Sequence, residues 1–241
     1  MDERLKKIIE KSDNIVFFGG AGVSTESNIP DFRSEKGLYS AKKEYGRSPE
    51  EMLSRSFFIA NTDTFFEYYK NNLIYQNARP NKAHIALAKL EKEGKLKAVV
   101  TQNIDGLHQK AGNKNVFELH GSILRNYCMD CGAFYDLPYI LDEKNCKGNV
   151  PKCSKCGGTV KPDVVLYEES LDDNCIRGAV EAIEKADTLI IGGTSLVVYP
   201  AAGLINYFSG NYLVLINKEP TPYDRRTDLV IYDSIGKVME L

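Results

Sequence analysis

Ile15-Val16-Phe17-Phe18-Gly19-Gly20-Ala21-Gly22-Val23-Ser24-Thr25 is the stretch from which the architecture of this 241-residue chain is read. Four consecutive apolar residues, β-branched and aromatic, give the pattern of a strand buried on both faces. The glycines behind it let a backbone turn sharply and approach a pyrophosphate, whose charge a following helix N-terminus would favour. Alone, the turn fits a plain structural bend equally well. Gly20-x-Gly22 lacks the third glycine of a dinucleotide fingerprint, with Thr25 in its place, and no clear acidic residue closes a second strand about 20 residues on.

Working outward, similar runs recur at Ala98-Val99-Val100, Val116-Phe117-Glu118-Leu119, Thr188-Leu189-Ile190-Ile191, Leu213-Val214-Leu215-Ile216 and Leu229-Val230-Ile231. Helical spacing appears between them. Residues 82–93 repeat Ala83, Ala86, Leu87 and Leu90, and residues 172–186 repeat Ile176, Ala179, Val180 and Ile183. A short amphipathic helix over residues 1–10 presents Leu5, Ile8 and Ile9. Strands alternating with helices predict an α/β domain with a Rossmann-like, doubly wound parallel sheet. A second glycine-bearing strand end, Gly192-Gly193-Thr194-Ser195, and Asn217 at the end of the next strand would share its carboxyl edge. Nucleotide ligands use that edge.

Two segments break the alternation. Residues 36–80 are helical and aromatic (Phe57, Phe58, Phe65, Phe66, Tyr68, Tyr69), a stripe read as core or groove lining. Residues 122–162 hold two Cys-x-x-Cys pairs, Cys128 with Cys131 and Cys153 with Cys156. Both segments would form a smaller lobe on a sheet domain made of residues 1–35, 81–121 and 163–241. Two thiolate knuckles make the tetrahedral cage zinc prefers, and four sulfurs leave no position for water, so the metal is structural. Cys146 and Cys175 are read as bystanders. No apolar run approaches membrane-spanning length and the N-terminus has no secretory pattern, which predicts a cytoplasmic chain with reduced thiols. With 31 basic and 33 acidic residues there is no basic block, which argues against a nucleic-acid partner.

Gly20-Ala21-Gly22-Val23-Ser24-Thr25-Glu26-Ser27-Asn28-Ile29-Pro30-Asp31-Phe32-Arg33 resembles the signature of the sirtuins, NAD-dependent protein-lysine deacylases. Thr101-Gln102-Asn103-Ile104-Asp105-Gly106-Leu107-His108 and Glu118-Leu119-His120-Gly121-Ser122 match two further signatures. The cysteines follow in the family's order, then Gly193-Thr194-Ser195-Leu196 and Tyr199-Pro200. The resemblance runs from about residue 13 to 238 and is closest to compact bacterial members. It implies NAD as co-substrate, one structural zinc and acetylated lysine peptides as partners, acting on a chain expected to be monomeric. By position it assigns Gly20, Ala21, Gly22, Thr25, Phe32, Arg33 and Gln102 to NAD. Ile104 and Asp105 would take the nicotinamide carboxamide, and Gly193, Thr194, Ser195, Asn217 and Ile235 the adenosine side. Asn103 would orient the ribose, with His120 as general base and Asp105 beside them. Val164, Val165, Leu166, Tyr167 and Val197 would receive the peptide as an added strand.

The residue types suit that chemistry. A neutral leaving group and a sugar gaining positive character need positioning and a dry pocket more than a strong acid. A later step deprotonates a ribose hydroxyl near neutral pH, which an imidazole can do. Of three histidines, His120 stands at a strand end before the cysteines, His84 is read as a satisfied core histidine and His108 as a brace for the Asn103 loop. A protein nucleophile capturing the same intermediate would make a mono-ADP-ribosyltransferase, and a non-catalytic NAD-sensing zinc protein is the rival of another class. Asn28 and Glu168 stand where the family usually has glycine. Asn28 tolerates a left-handed turn, whereas Glu168 raises the question of whether the peptide edge keeps its geometry. Phe66 and Tyr69 occupy the places where desuccinylating members carry a tyrosine and an arginine, which predicts a preference for neutral acyl groups.

Overall fold

The computed structural model describes residues 2–31 and 44–240, so the assignments to Phe32 and Arg33 lie outside the described residues. In chain order the strands are β1 (Ile15–Gly19), β2 (Leu96–Thr101), β3 (Val116–Glu118), β4 (Gly121–Cys128), β5 (Phe134–Asp136), β6 (Cys146–Lys147), β7 (Val150–Pro151), β8 (Val160–Val164), β9 (Thr188–Gly192), β10 (Tyr212–Ile216) and β11 (Leu229–Ile231). Among the described residues, six of them form one sheet in the order β11-β10-β9-β1-β2-β3, every pair parallel. The order reverses between β1 and β9. That is the switch point of a doubly wound sheet, as the sequence predicts.

The near-continuous apolar runs follow from coverage on both faces. Phe17, Val99, Ile190, Val214 and Ile216 pack under the helices Glu3–Lys11, Lys82–Lys92 and Ile235–Val238. Val16, Phe18, Val100, Leu189, Ile191 and Leu215 pack under the helix Asp173–Lys185 and the 3₁₀ turn Ala201–Tyr207. Each fully buried Phe or Ile contributes about 2–3 kcal/mol relative to exposure. The caps are local: Asp2 accepts from the backbone N–H of Arg4 and Leu5, and Asp172 from that of Cys175.

One local expectation fails. No α-helix directly follows β1. The chain instead makes two 3₁₀ turns, Ala21–Val23 and Thr25–Ser27. The amides that a helix N-terminus would leave free are partly used: Gly20 N–H donates to the Gly192 carbonyl at 3.1 Å and Gly22 N–H to the Gly193 carbonyl at 2.8 Å. Asn28 ends the second turn at φ 62°, so the turn is kept without glycine.

The two interrupting segments share one core. Phe57, Phe58, Phe65, Phe66, Tyr68 and Tyr69 are buried against Ile123, Cys128, Tyr135, Ile140, Cys153 and Val160. The aromatic stripe is therefore core. Its rings meet edge-on at Phe58–Phe65 (4.9 Å) and Phe65–Phe66 (5.4 Å), a favoured arrangement. Asp63 ties the helical segment to the cysteine segment by accepting from Asn149 N and Nδ2 at 2.8 and 2.9 Å. β4 is central in a three-stranded antiparallel sheet with β5 and β8.

Candidate functional site

The register of the parallel sheet brings the site together. Glu118, Thr101, Gly19, Gly192, Ile216 and Ile231 lie side by side across neighbouring strands, and each is the last residue of its strand. The loops leaving these strand ends must therefore emerge on one rim. That rim carries His120 after β3, Gln102 to Asp105 after β2, Gly20 to Thr25 after β1, Gly193 to Ser195 after β9, and Asn217 after β10. Ile235 comes after β11 and is buried.

At the switch point two glycine loops touch. A Cβ on Gly22 would meet the Gly193 Cα at 2.7 Å, and one on Gly193, which has φ +59°, would meet the Val23 nitrogen at 2.5 Å. Glycine is required here because the two backbones approach each other this closely. Gln102 spans the same point: its N–H donates to the Gly19 carbonyl (2.9 Å) and its Nε2 to Thr194 Oγ1 (3.2 Å). Thr25 is turned inward instead, donating to the Gly22 carbonyl at 3.0 Å. Asn217 Nδ2 donates to the Glu219 carbonyl at 2.7 Å, and Ser195 is exposed.

Beside the glycine turn runs a chain of polar contacts. Asn103, 8% exposed, donates through Nδ2 to Ser24 Oγ at 3.0 Å, and Ser24 donates to Asp105 Oδ2 at 2.6 Å. Asp105 Oδ1 accepts from the Leu107 N–H at 2.9 Å. Ser24 is thus a site residue that the assignment by position passed over. Its signal was its place between Val23 and Thr25, but nothing in sequence spacing told which of the two neighbouring loops it would bridge. Glu26 is another, accepting the Gly236 N–H at 2.8 Å and so joining the loop after β1 to the last helix.

His120 is pinned by its backbone on both sides. Leu119 N–H donates to the Thr101 carbonyl at 2.9 Å, and the His120 carbonyl accepts from Val165 N–H at 3.0 Å. Its Nδ1 lies 2.9 Å from the Gln102 carbonyl. A carbonyl only accepts, so Nδ1 carries the proton and Nε2 keeps its lone pair. Burial lowers the imidazole pKa below its ordinary value, and the Gln102 contact opposes this in part. The ring is therefore a neutral base at neutral pH.

Of the other two histidines, His84 departs from the expectation of a satisfied core residue. His84 Nδ1 accepts the Asn81 N–H at 3.3 Å and closes a capping box, but its Nε2 has no partner among the described residues. His108 is 1% exposed with neither nitrogen partnered among the described residues, and it packs with its ring 4.7 Å from that of His84. Burial pushes His84 down to about 4 and, with His84 alongside, His108 to about 3. Asp105 and Glu26 pull His84 the other way. Above about pH 6.5 both rings are neutral folded or unfolded, so nothing is lost. As pH falls from about 6.5 toward 4, the unfolded chain takes up protons that the fold refuses, and stability drops. Thermal melts with zinc content tracked in parallel are expected to show a loss of a few kcal/mol across that window. His108→Leu should flatten the slope, and an unchanged slope would contradict this reading.

The peptide-side residues are only partly strand. β8 ends at Val164: beyond the Val165 N–H bond to His120, Leu166 N–H donates to Glu169 Oε2 at 2.9 Å, Tyr167 N–H to the Leu53 carbonyl and Arg55 N–H to the Tyr167 carbonyl, both at 3.0 Å. Leu166 is buried, whereas Tyr167 and Val197 are 41% and 44% exposed. Glu168 does adopt a glycine-like φ of 75°, and its carboxylate accepts from Ser56 N (2.8 Å) and Oγ (2.9 Å), at the start of the helix Arg55–Ala60. These bonds offset the strain of the left-handed backbone at Glu168.

Cys128, Cys131, Cys153 and Cys156 come together with all four sulfurs within 4.8 Å of one another. Two of the separations, 3.4 Å for Cys128–Cys156 and 3.6 Å for Cys131–Cys153, approach the edge of about 3.8 Å that zinc–sulfur bonds of about 2.3 Å imply. Each pair is followed by a glycine at positive φ, Gly132 (69°) and Gly157 (77°), whose N–H returns to the carbonyl of the pair's first cysteine. The donor set fits zinc. Cys146 stands apart, 3.4 Å from Lys70 Nζ, as a bystander should.

The Sir2 family profile matches residues 20–200. The NAD-dependent protein deacetylase of Clostridium perfringens (strain 13 / Type A) is 69% identical over 237 residues, spanning 98% of this chain and 96% of that protein. The protein of the same name from Clostridium acetobutylicum is 66% identical, spanning 98% and 95%. Among solved structures, a Sir2–p53 peptide–NAD+ complex superposes with a TM-score of 0.88 at 34% identity, covering 99% of this chain and 95% of that one. A Sir2 enzyme structure described for its mechanism and regulation gives 0.86 at 41% identity, covering 100% and 96%.

Proposed function

The chain belongs to the Sir2 family, and we propose that its sheet rim holds NAD while an acetylated lysine reaches the sugar from the small-lobe side. It is an NAD-dependent protein deacetylase that transfers the acetyl group of acetyl-lysine to ADP-ribose, releasing nicotinamide, O-acetyl-ADP-ribose and the free lysine. NAD, when bound, supplies the sugar carbon that nicotinamide leaves and the hydroxyl that takes up the acetyl group.

The chain's own residues do the rest. Gly20, Ala21, Gly22 and Thr25, with Gly193 opposite, present backbone to the pyrophosphate, and Thr194, Ser195, Asn217 and Ile235 line the adenosine side. Gln102 and Ile104 bound the reactive end. Asp105 and Asn103, tied through Ser24, position the nicotinamide amide and the ribose and so fix the reacting geometry. His120 Nε2 accepts the ribose hydroxyl proton. Val164, Val165, Leu166, Tyr167 and Val197 receive the peptide backbone. The four cysteines hold zinc and stiffen the lobe that forms one wall of this cleft. The lobe division proposed is residues 1–35, 81–121 and 163–241 against 36–80 with 122–162. We read the chain as a cytoplasmic monomer without a nucleic-acid partner. No described helix is long and apolar enough to cross a membrane, and none of the six cysteines is in a disulfide.

One observation carries this reading: the aligned strand ends that put His120, Asn103, Asp105 and both glycine loops on one rim. Its test is an acetyl-lysine peptide incubated with and without NAD, with products identified by mass. Free lysine and O-acetyl-ADP-ribose are expected only with NAD, and an ADP-ribosylated protein adduct instead would overturn it. Phe66 and Tyr69, at the places where desuccinylating members carry a tyrosine and an arginine, are buried and themselves supply no cation. A succinyl carboxylate would be buried unpaired, so the acetyl peptide is expected to turn over at least about 10-fold faster. Equal rates would remove the acyl preference and leave the NAD requirement standing.

A further inference from the structure

The four sulfurs of the cage differ in their surroundings. Cys128 and Cys153 are buried, at 3% and 4% exposure, whereas Cys131 and Cys156 are exposed. Burial penalises a thiolate unless hydrogen-bond donors surround the sulfur. For Cys153 a side chain supplies one, because Tyr135 Oη on β5 lies 3.0 Å from Cys153 Sγ. The same oxygen accepts the Ser154 backbone N–H at 3.0 Å and lies 3.0 Å from Ser154 Oγ.

The direction of these bonds follows from proton counting. A phenol has one proton to give. In the metal-loaded cage Cys153 has lost its own, so its sulfur can only accept. The phenol proton then goes to the sulfur, and the Ser154 hydroxyl turns to donate to Tyr135 Oη. The ring is held for this by Tyr139, with centroids 4.2 Å apart and planes inclined at 35°. Tyr139 is anchored in turn, its hydroxyl donating to the Lys152 carbonyl at 2.8 Å.

We propose that Tyr135 is a positioning residue of the metal centre, whose phenol donates to the Cys153 thiolate and so governs how firmly the cage retains its metal. Loss of such an outer partner typically costs 10- to 100-fold in metal affinity. Tyr135→Phe keeps the ring and removes the donor. Chelator-driven zinc release is expected to accelerate about 10-fold or more in this variant. In the cobalt-substituted protein its sulfur-to-metal charge-transfer band is expected to move to lower energy, because a sulfur without the hydrogen bond gives up charge more readily. Tyr139→Phe loses a hydroxyl in the same stack without touching a sulfur, and its band should stay at the wild-type position. Growing the wild-type chain on 3-fluorotyrosine tests the same bond without a substitution. The more acidic phenol donates more strongly, and the band should move to higher energy. A Tyr135→Phe band at the wild-type position, equal shifts in both variants, or no shift with fluorotyrosine overturns the proposal. Failure of the wild-type chain to take up cobalt overturns the cage itself.

Discussion

His120→Ala is expected to lower acetyl-lysine turnover by about 100- to 10,000-fold, the range that a positioned general base supplies. Gln102 accepts the Nδ1 proton at 2.9 Å, so Nε2 is the nitrogen free to take a proton. Burial holds the imidazole pKa below its usual value, which keeps Nε2 unprotonated at neutral pH and moves the acid limb of the rate profile downward. Wild-type activity should therefore fall only below about pH 6.5, and the variant's residual rate should lose that limb. Departure of nicotinamide needs no base, so exchange of labelled nicotinamide into NAD should survive far better than deacetylation. Peptide titrations, pH profiles and nicotinamide exchange on both proteins check this. Equal losses in exchange and deacetylation would make His120 a residue of folding or binding, not a base.

Stripping the metal, or replacing Cys128 by Ser, is expected to unfold the small lobe and abolish turnover. Four thiolates around zinc contribute on the order of 10 kcal/mol of apparent binding free energy, and in a small lobe that is folding free energy. Cys128 belongs both to the sulfur cluster and to the core, packed with the aromatic cluster around Phe65 and Phe66. Its loss therefore reaches residues far from the cage. Hydrogen exchange should show protection lost across β4, β5 and β8 while the amides of β1, β9 and β10 stay protected by the parallel sheet. Cys146→Ser, outside the cage, should retain a full complement of zinc. A stripped protein with its wild-type melting behaviour and activity would refute the structural role of the metal.

What could be read in advance, and what could not, separates along range. Strands β1, β9 and β10 were legible because a strand covered on both faces needs an unbroken apolar run, and few other structures do. The cage was legible because Cys-x-x-Cys spacing is the geometry of a knuckle. No α-helix directly follows β1, because the amides of Gly20 and Gly22 bond to the end of β9 about 170 residues away. His84 and His108 were read as a satisfied core residue and a brace. That they pack together with three nitrogens unpartnered among the described residues depends on how two helices meet. Glu168 holds its left-handed φ beside bonds to Ser56, over a hundred positions earlier in the chain.

By itself, the order of residues determined the alternation of strands and helices, the sulfur cage and the chemical types gathered for the reaction. Each of these depends on spacing over a few residues, where backbone geometry leaves little choice. Folding in three dimensions decided which nitrogen of His120 is free, that Ser24 joins Asn103 to Asp105, and that Tyr135 reaches Cys153. Those outcomes depend on contacts between segments distant in sequence, and they are set by strand register and core packing rather than by any local pattern.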